Sequence, residues 1–145
     1  MSLTATAHAI RGSLRQEVVI DGQHRLVTDE PLHLGGEGSG PAPHELLPAA
    51  IASCVSTSLV MYARTHAWDL GDVSVDVDFD NRSTPRRCEI AITLGTVLDA
   101  AQLQRLERVA RACPVRRSLE AGVEFAETIL CDPVATRPTV AESAP

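Results

Sequence analysis

Residues 3–10, Leu-Thr-Ala-Thr-Ala-His-Ala-Ile, alternate apolar and polar positions. A period of two predicts a strand. Glu17 to Ile20 and His24 to Thr28 read as two more short strands, and Asp21-Gly22 between them is a two-residue hairpin signal. The run Gly35-Gly-Glu-Gly-Ser-Gly40-Pro41 follows. Its glycine spacing is not that of a phosphate cradle, and no βαβ unit surrounds it. It reads as a flexible connection into a helix. That helix starts near Pro43, a good first-turn residue, and runs to about His66. Pro48 removes one backbone bond and is expected to bend its start. The helix is apolar nearly all round, so it should be central and touched on every side.

The second half repeats the two periods. Val73 to Phe79 alternates strictly, and Cys88 to Thr96 is its expected antiparallel partner. Asp99-Ala-Ala-Gln102 opens a second helix like a capping box. Leu103, Leu106, Ala110 and Cys113 then share one helical face. Val115 to Ala121 reads as a short helical turn ended by Gly122, and Val123 to Leu130 as a weakly alternating last strand. The tail from Asp132 is rich in Pro, Thr and Ala and reads as disordered. The chain therefore divides into one domain, residues 1–131, and a tail, residues 132–145. The element order makes the fold class α+β with antiparallel sheet. One thin sheet does not cover an all-apolar helix. A second copy of the chain, a homodimer, is the simplest cover.

Composition narrows the partners. A net charge of −6 argues against nucleic acid and against an anionic membrane. No apolar stretch reads as reaching the ~20 residues that span a bilayer. The N-terminus has no basic segment followed by an apolar core, so no secretory signal is expected, and the localisation read is cytoplasmic. In such a reducing compartment, a disulfide among the four cysteines is more readily transient and catalytic than structural.

Cys54 lies within the long apolar helix and Cys113 at the end of the second. A free cysteine often only fills space. Here Thr57 and Ser58 share the Cys54 face and are placed to donate to a thiolate, which would lower its pKa. Two cysteines on core-facing helices are also able to meet. Zinc fits poorly, because Cys54, Cys88, Cys113 and Cys131 form no Cys-x-x-Cys pair and the five histidines are scattered. Cys88 and Cys131 read as incidental. No metal and no bound cofactor are expected. His44 and Glu45 open the long helix, where a glutamate suits the helix dipole. On an ideal helix Glu45 lies about 180° from Cys54, and His44 about 80°.

Gly40-Pro-Ala-Pro-His-Glu-Leu-Leu-Pro-Ala-Ala-Ile-Ala-Ser-Cys54 resembles the signature of the OsmC/Ohr family, and Ala112-Cys113-Pro114-Val115 resembles its second motif. His24-x-x-x-x-Asp29-Glu30-Pro31 and Met61-Tyr62-Ala63 resemble one branch of it. The similarity spans about residues 3–130. It implies antiparallel sheets wrapped around two long central helices in an intertwined homodimer, with sites at the subunit interface. It also implies a cysteine-based peroxidase acting on organic hydroperoxides. Cys54 would then be the peroxidatic thiolate and Cys113 the resolving thiol, and an external dithiol reductant protein, of lipoyl type or similar, would regenerate them. The chain departs from the peroxidase branches at one place. Where they carry a Glu ten residues before the cysteine, paired with an Arg, this chain has His44, with Glu45 one position later. Arg11, Arg15 and Arg25 are the candidate partners, and Glu45, His44 and Arg25 are kept as supporting residues. The alternative reading is a dimer of the same fold that binds a small apolar ligand without peroxidase activity.

Overall fold

The computed structural model describes residues 2–131. Strands β1 (Ala5–Ala9), β2 (Gln16–Ile20) and β3 (His24–Thr28) form an antiparallel three-stranded sheet in that order. The turn between β2 and β3 holds Asp21 and Gly22, both at positive φ, and Ile20 pairs with His24. Single helical turns at Leu32–Leu34 and Pro43–Glu45 lead into α1 (Leu46–Thr65). Strands β4 (Val73–Asp80) and β5 (Arg87–Leu94) pair antiparallel, with Val77 opposite Ile90. Helices α2 (Ala100–Arg111) and α3 (Pro114–Ala121) complete the described chain. It is a mixed α and β fold with antiparallel sheets and three helices.

The core is built on one stripe of α1. Ile51, Val55, Leu59 and Ala63 recur every four residues and are all buried. They meet the alternate residues Val73, Val75, Val77 and Phe79 of β4, and Leu106 and Ala110 of α2. Each fully buried aliphatic side chain here stabilises the fold by about 1.5–3 kcal/mol relative to exposure. The Asp99 side chain accepts from the Gln102 amide at 2.7 Å, and the Gln102 side chain accepts from the Asp99 amide at 3.0 Å. The expected capping box thus starts α2.

Three expectations are corrected. Val123 to Leu130 is not a strand in the described chain; Phe125 and Ile129 are 80% and 93% exposed, and no strand edge pairs with them. Pro48 is the third residue of α1, and α1 runs on through it. Pro43–Thr65 is a run of 23 helical residues with the length and hydropathy to cross a bilayer, so the reading that no stretch reaches that span fails. The same helix carries the core stripe of this fold. Finally, the glycine-rich connection is pinned rather than free. The Asp29 carboxylate accepts from the amides of Glu37 and Ser39 at 3.1 and 3.0 Å. The expected tail, 132–145, lies outside the described residues.

The three-stranded sheet adds nothing to this core. Its substantial contacts are among its own strands. Pairing places Ala7, Val18 and Leu26 on one face, together with Ala5, Ala9 and Ile20 at alternate positions. That apolar face is carried on an arm outside the body of the chain.

Candidate functional site

Cys54 sits on α1 beside the core stripe, one turn after Ile51, and is half-buried. Cys113 occupies the turn between α2 and α3, at the N-cap of α3, and is fully buried. The short link Ala112-Cys113-Pro114 brings it there. Helix α2 ends at Arg111, and Pro114 starts α3 with φ already set for a helix. Both cysteines are free thiols, and Cys54 packs against the core cluster that contains Cys113. The fold therefore brings together the two thiols that the sequence placed on separate helices.

Burial pushes the Cys113 thiol above its ordinary pKa. The Arg116 and Val115 amides at the start of α3 pull the other way, while the neighbouring Cys54 adds to the rise. None of these amides makes a well-formed capping bond to the sulfur. Cys113 is thus held as a neutral thiol, out of reach of bulk solvent, against a more accessible partner.

The supporting residues do not gather around Cys54 in this chain. Glu45 Oε2 accepts from the Ala42 amide at 2.8 Å, which uses the carboxylate to close the turn before α1. His44 is exposed at the same turn. Arg25 is exposed on β3, opposite Val19. The Ser58 hydroxyl donates to the Cys54 carbonyl at 2.8 Å, and Thr57 is exposed. The expectation that Ser58 would donate to the Cys54 sulfur is therefore corrected: a helical serine reaches the carbonyl four residues back more easily. Arg15 stands apart from the other arginines. Its Nε is buried with no hydrogen-bond partner among the described residues.

A groove of about 420 Å³ opens between β4–β5 and α3 and reaches Ile51 of α1; neither Cys54 nor Cys113 lines it. Ile51, Phe79, Ile90 and Leu119 give it an apolar floor, and Arg116 and Glu120 stand along it. These two side chains pair at 2.7 Å. Cys88 also faces this groove; burial raises its thiol pKa, Arg116 counters that, and Asp78 adds to it. Cys131 is exposed. Among the described residues, no three metal-type side chains cluster.

Asp29 entered the sequence reading only as part of a family motif, with no role assigned to its side chain. It is buried, yet its carboxylate is satisfied by the amides of Glu30, Glu37 and Ser39 and by the Ser39 hydroxyl. These bonds hold its pKa below the usual 3.8; the Ser39 amide contributes most, and desolvation opposes it. The signal available in the sequence was an aspartate just before a glycine- and serine-rich run, whose free amides need an acceptor.

Residues 36–128 match the family model for OsmC-like protein. No curated protein sequence matches the chain. Among solved structures, a protein from Psychrobacter arcticus described as an osmotic stress induced and detoxification response protein is 28% identical. That likeness covers 81% of this chain and 87% of the other, with a TM-score of 0.67. An organic hydroperoxide resistance protein from Legionella pneumophila is 25% identical over 81% of this chain and 88% of its own, with a TM-score of 0.55. An OsmC-like protein from Mycoplasma pneumoniae shares the fold at 16% identity, a TM-score of 0.67, and coverage of 83% and 88%.

Proposed function

The chain belongs to the OsmC-like protein family, and from that premise we propose that it is a thiol-dependent peroxidase that reduces organic hydroperoxides to alcohols. The observation that carries the reading is that a half-buried thiol, Cys54, packs against the core cluster that holds a fully buried one, Cys113. Access assigns the roles. The Cys54 thiolate attacks the O–O bond of the hydroperoxide; an S–O bond forms, and the alkoxide leaves and takes a proton to become the alcohol. Cys54 is then a sulfenic acid. The Cys113 sulfur attacks it, a disulfide forms and water leaves. An external dithiol, of lipoyl type or similar, supplies two electrons and two protons to restore both thiols.

The groove supports an apolar substrate, since its floor leads from β4 and β5 to Ile51, one turn from Cys54. The unpaired Nε of Arg15 makes it a better source than Arg25 for a guanidinium that steadies the thiolate. The functional unit in this reading is a homodimer in a reducing, cytoplasmic setting. In it the apolar face of one arm covers the exposed α1 face of the partner, where Leu47 is 40% and Met61 62% exposed. The resemblance to a protein named for organic hydroperoxide resistance points the same way.

The test is hydroperoxide consumption with a dithiol reductant, cumene hydroperoxide against hydrogen peroxide. The reading expects faster turnover with cumene hydroperoxide and its loss in Cys54→Ser. Absence of turnover with either peroxide, with both thiols left intact, would replace it with a dimer that binds a small apolar ligand.

A further inference from the structure

The segment from Asp29 to Pro41 joins the arm to the body of the chain. The Asp29 amide donates to the Pro41 carbonyl at 3.1 Å, so the two ends of this segment are tied to each other. The Asp29 carboxylate then holds the middle of the segment. One oxygen accepts from the Glu30 amide at 2.9 Å. The other accepts from the amides of Glu37 at 3.1 Å and Ser39 at 3.0 Å, and from the Ser39 hydroxyl at 2.9 Å. Thr28 before it and Ala42 after it are buried as well.

Two glycines let the backbones close to this distance. A Cβ on Gly36 would sit 1.8 Å from the Glu30 carbonyl oxygen, and one on Gly40 would sit 2.4 Å from that of Val27. Both obstacles are backbone, so neither is able to swing aside. A buried carboxylate with four donors and two enforced glycines is more construction than a tether needs. A tether between a sheet and a helix only has to be long enough.

We propose that Asp29 is a positioning residue: it makes the Asp29–Pro41 segment a rigid joint that fixes the pose of the β1–β3 arm against α1, aiming its apolar face at a second copy of the chain. The inference rests on the dimer proposed above and names the residue that sets its geometry. The physical reason is entropic. An arm free to swivel loses that freedom on pairing, whereas an arm already posed does not, so the joint tightens association without touching the partner.

The experiment compares the full-length chain with Asp29→Asn, which keeps the side-chain size, and with Ser39→Ala, which removes one donor of the four. Amide hydrogen exchange reads the joint, sedimentation equilibrium reads the dimer, and turnover is followed alongside. Asp29→Asn is expected to speed exchange at the Glu37 and Ser39 amides at least tenfold and to raise the dimer dissociation constant at least tenfold. Protection across β4 and α1 should stay as in the wild type. Ser39→Ala should move both readouts in the same direction by less. A loosened joint with an unchanged dissociation constant would overturn the inference and leave Asp29 a local stabiliser. A wild-type chain that stays monomeric at millimolar concentration would overturn it together with the dimer reading. Loss of turnover alone would fall on the peroxidase reading, because neither exchange nor sedimentation depends on it.

Discussion

At the residue scale, Cys113 is fully buried at the head of α3, while Cys54 keeps part of its surface open. A thiol that is both buried and raised in pKa alkylates slowly. Iodoacetamide at neutral pH should therefore modify Cys131 early and Cys113 last of the four, as followed by peptide mass mapping. Prior modification of Cys113 in the native protein would contradict its place in the fold. Asp29 gives a pH prediction with a definite sign. Its folded pKa is lowered below 3.8, so its contribution is complete above the unfolded value and is lost as pH falls through the folded one. Wild-type stability should fall as acid passes below about pH 4, and Asp29→Asn should flatten that fall in an acid titration followed by circular dichroism. The places of both cysteines were legible in the sequence, Cys54 inside an apolar helix and Cys113 at the end of an apolar face. The fates of Glu45 and Ser58 were not. Each had a nearby backbone group that competed for it, the Ala42 amide and the Cys54 carbonyl, and spacing along a helix does not rank such competitors.

At the element scale, the helices and central strands followed the hydrophobic period closely. The α2 start was read from Asp99 and Gln102 because a capping box is a local interaction, complete within four residues. Asp99→Ala should cost about 1 kcal/mol in urea unfolding. Leu59, buried on the α1 stripe, makes a sharper test of the core. Leu59→Ala should cost about 2–5 kcal/mol through lost burial and a residual cavity, and a change below 0.5 kcal/mol would place the stripe elsewhere. Val123 to Leu130 failed as a strand for a reason the period does not contain. A strand exists only where an edge pairs with it, and the described chain offers this segment none. The glycine-rich connection failed in the opposite direction. Glycine suggests freedom, but here it permits the close approach that Asp29 then fixes.

At the scale of the whole molecule, the fold is divided between a body with a core and an arm without one. Leu47, Met61, Phe125 and Ile129 are exposed, and on the apolar face of the arm Ile20 is exposed while Val18 and Leu26 are half-buried. Apolar surface on this scale favours association. Met61→Glu should shift the protein toward monomer in sedimentation and lower turnover with it, since a charge at that face costs desolvation only when a partner covers it. The sequence pointed to a second copy through the all-apolar helix. It did not show that the N-terminal sheet stands apart, because alternation is the same whether the covering face belongs to the same chain or another.

The central claim is that Cys54 and Cys113 work as one redox pair. It is tested most directly by treating the reduced protein with one equivalent of cumene hydroperoxide and mapping the product by mass. The account predicts a loss of two hydrogens and a single Cys54–Cys113 peptide, absent in Cys54→Ser and replaced by a Cys54 sulfenic acid in Cys113→Ser. Oxidation that stops at Cys54 in the wild type, or a disulfide through Cys88 or Cys131 instead, would contradict it.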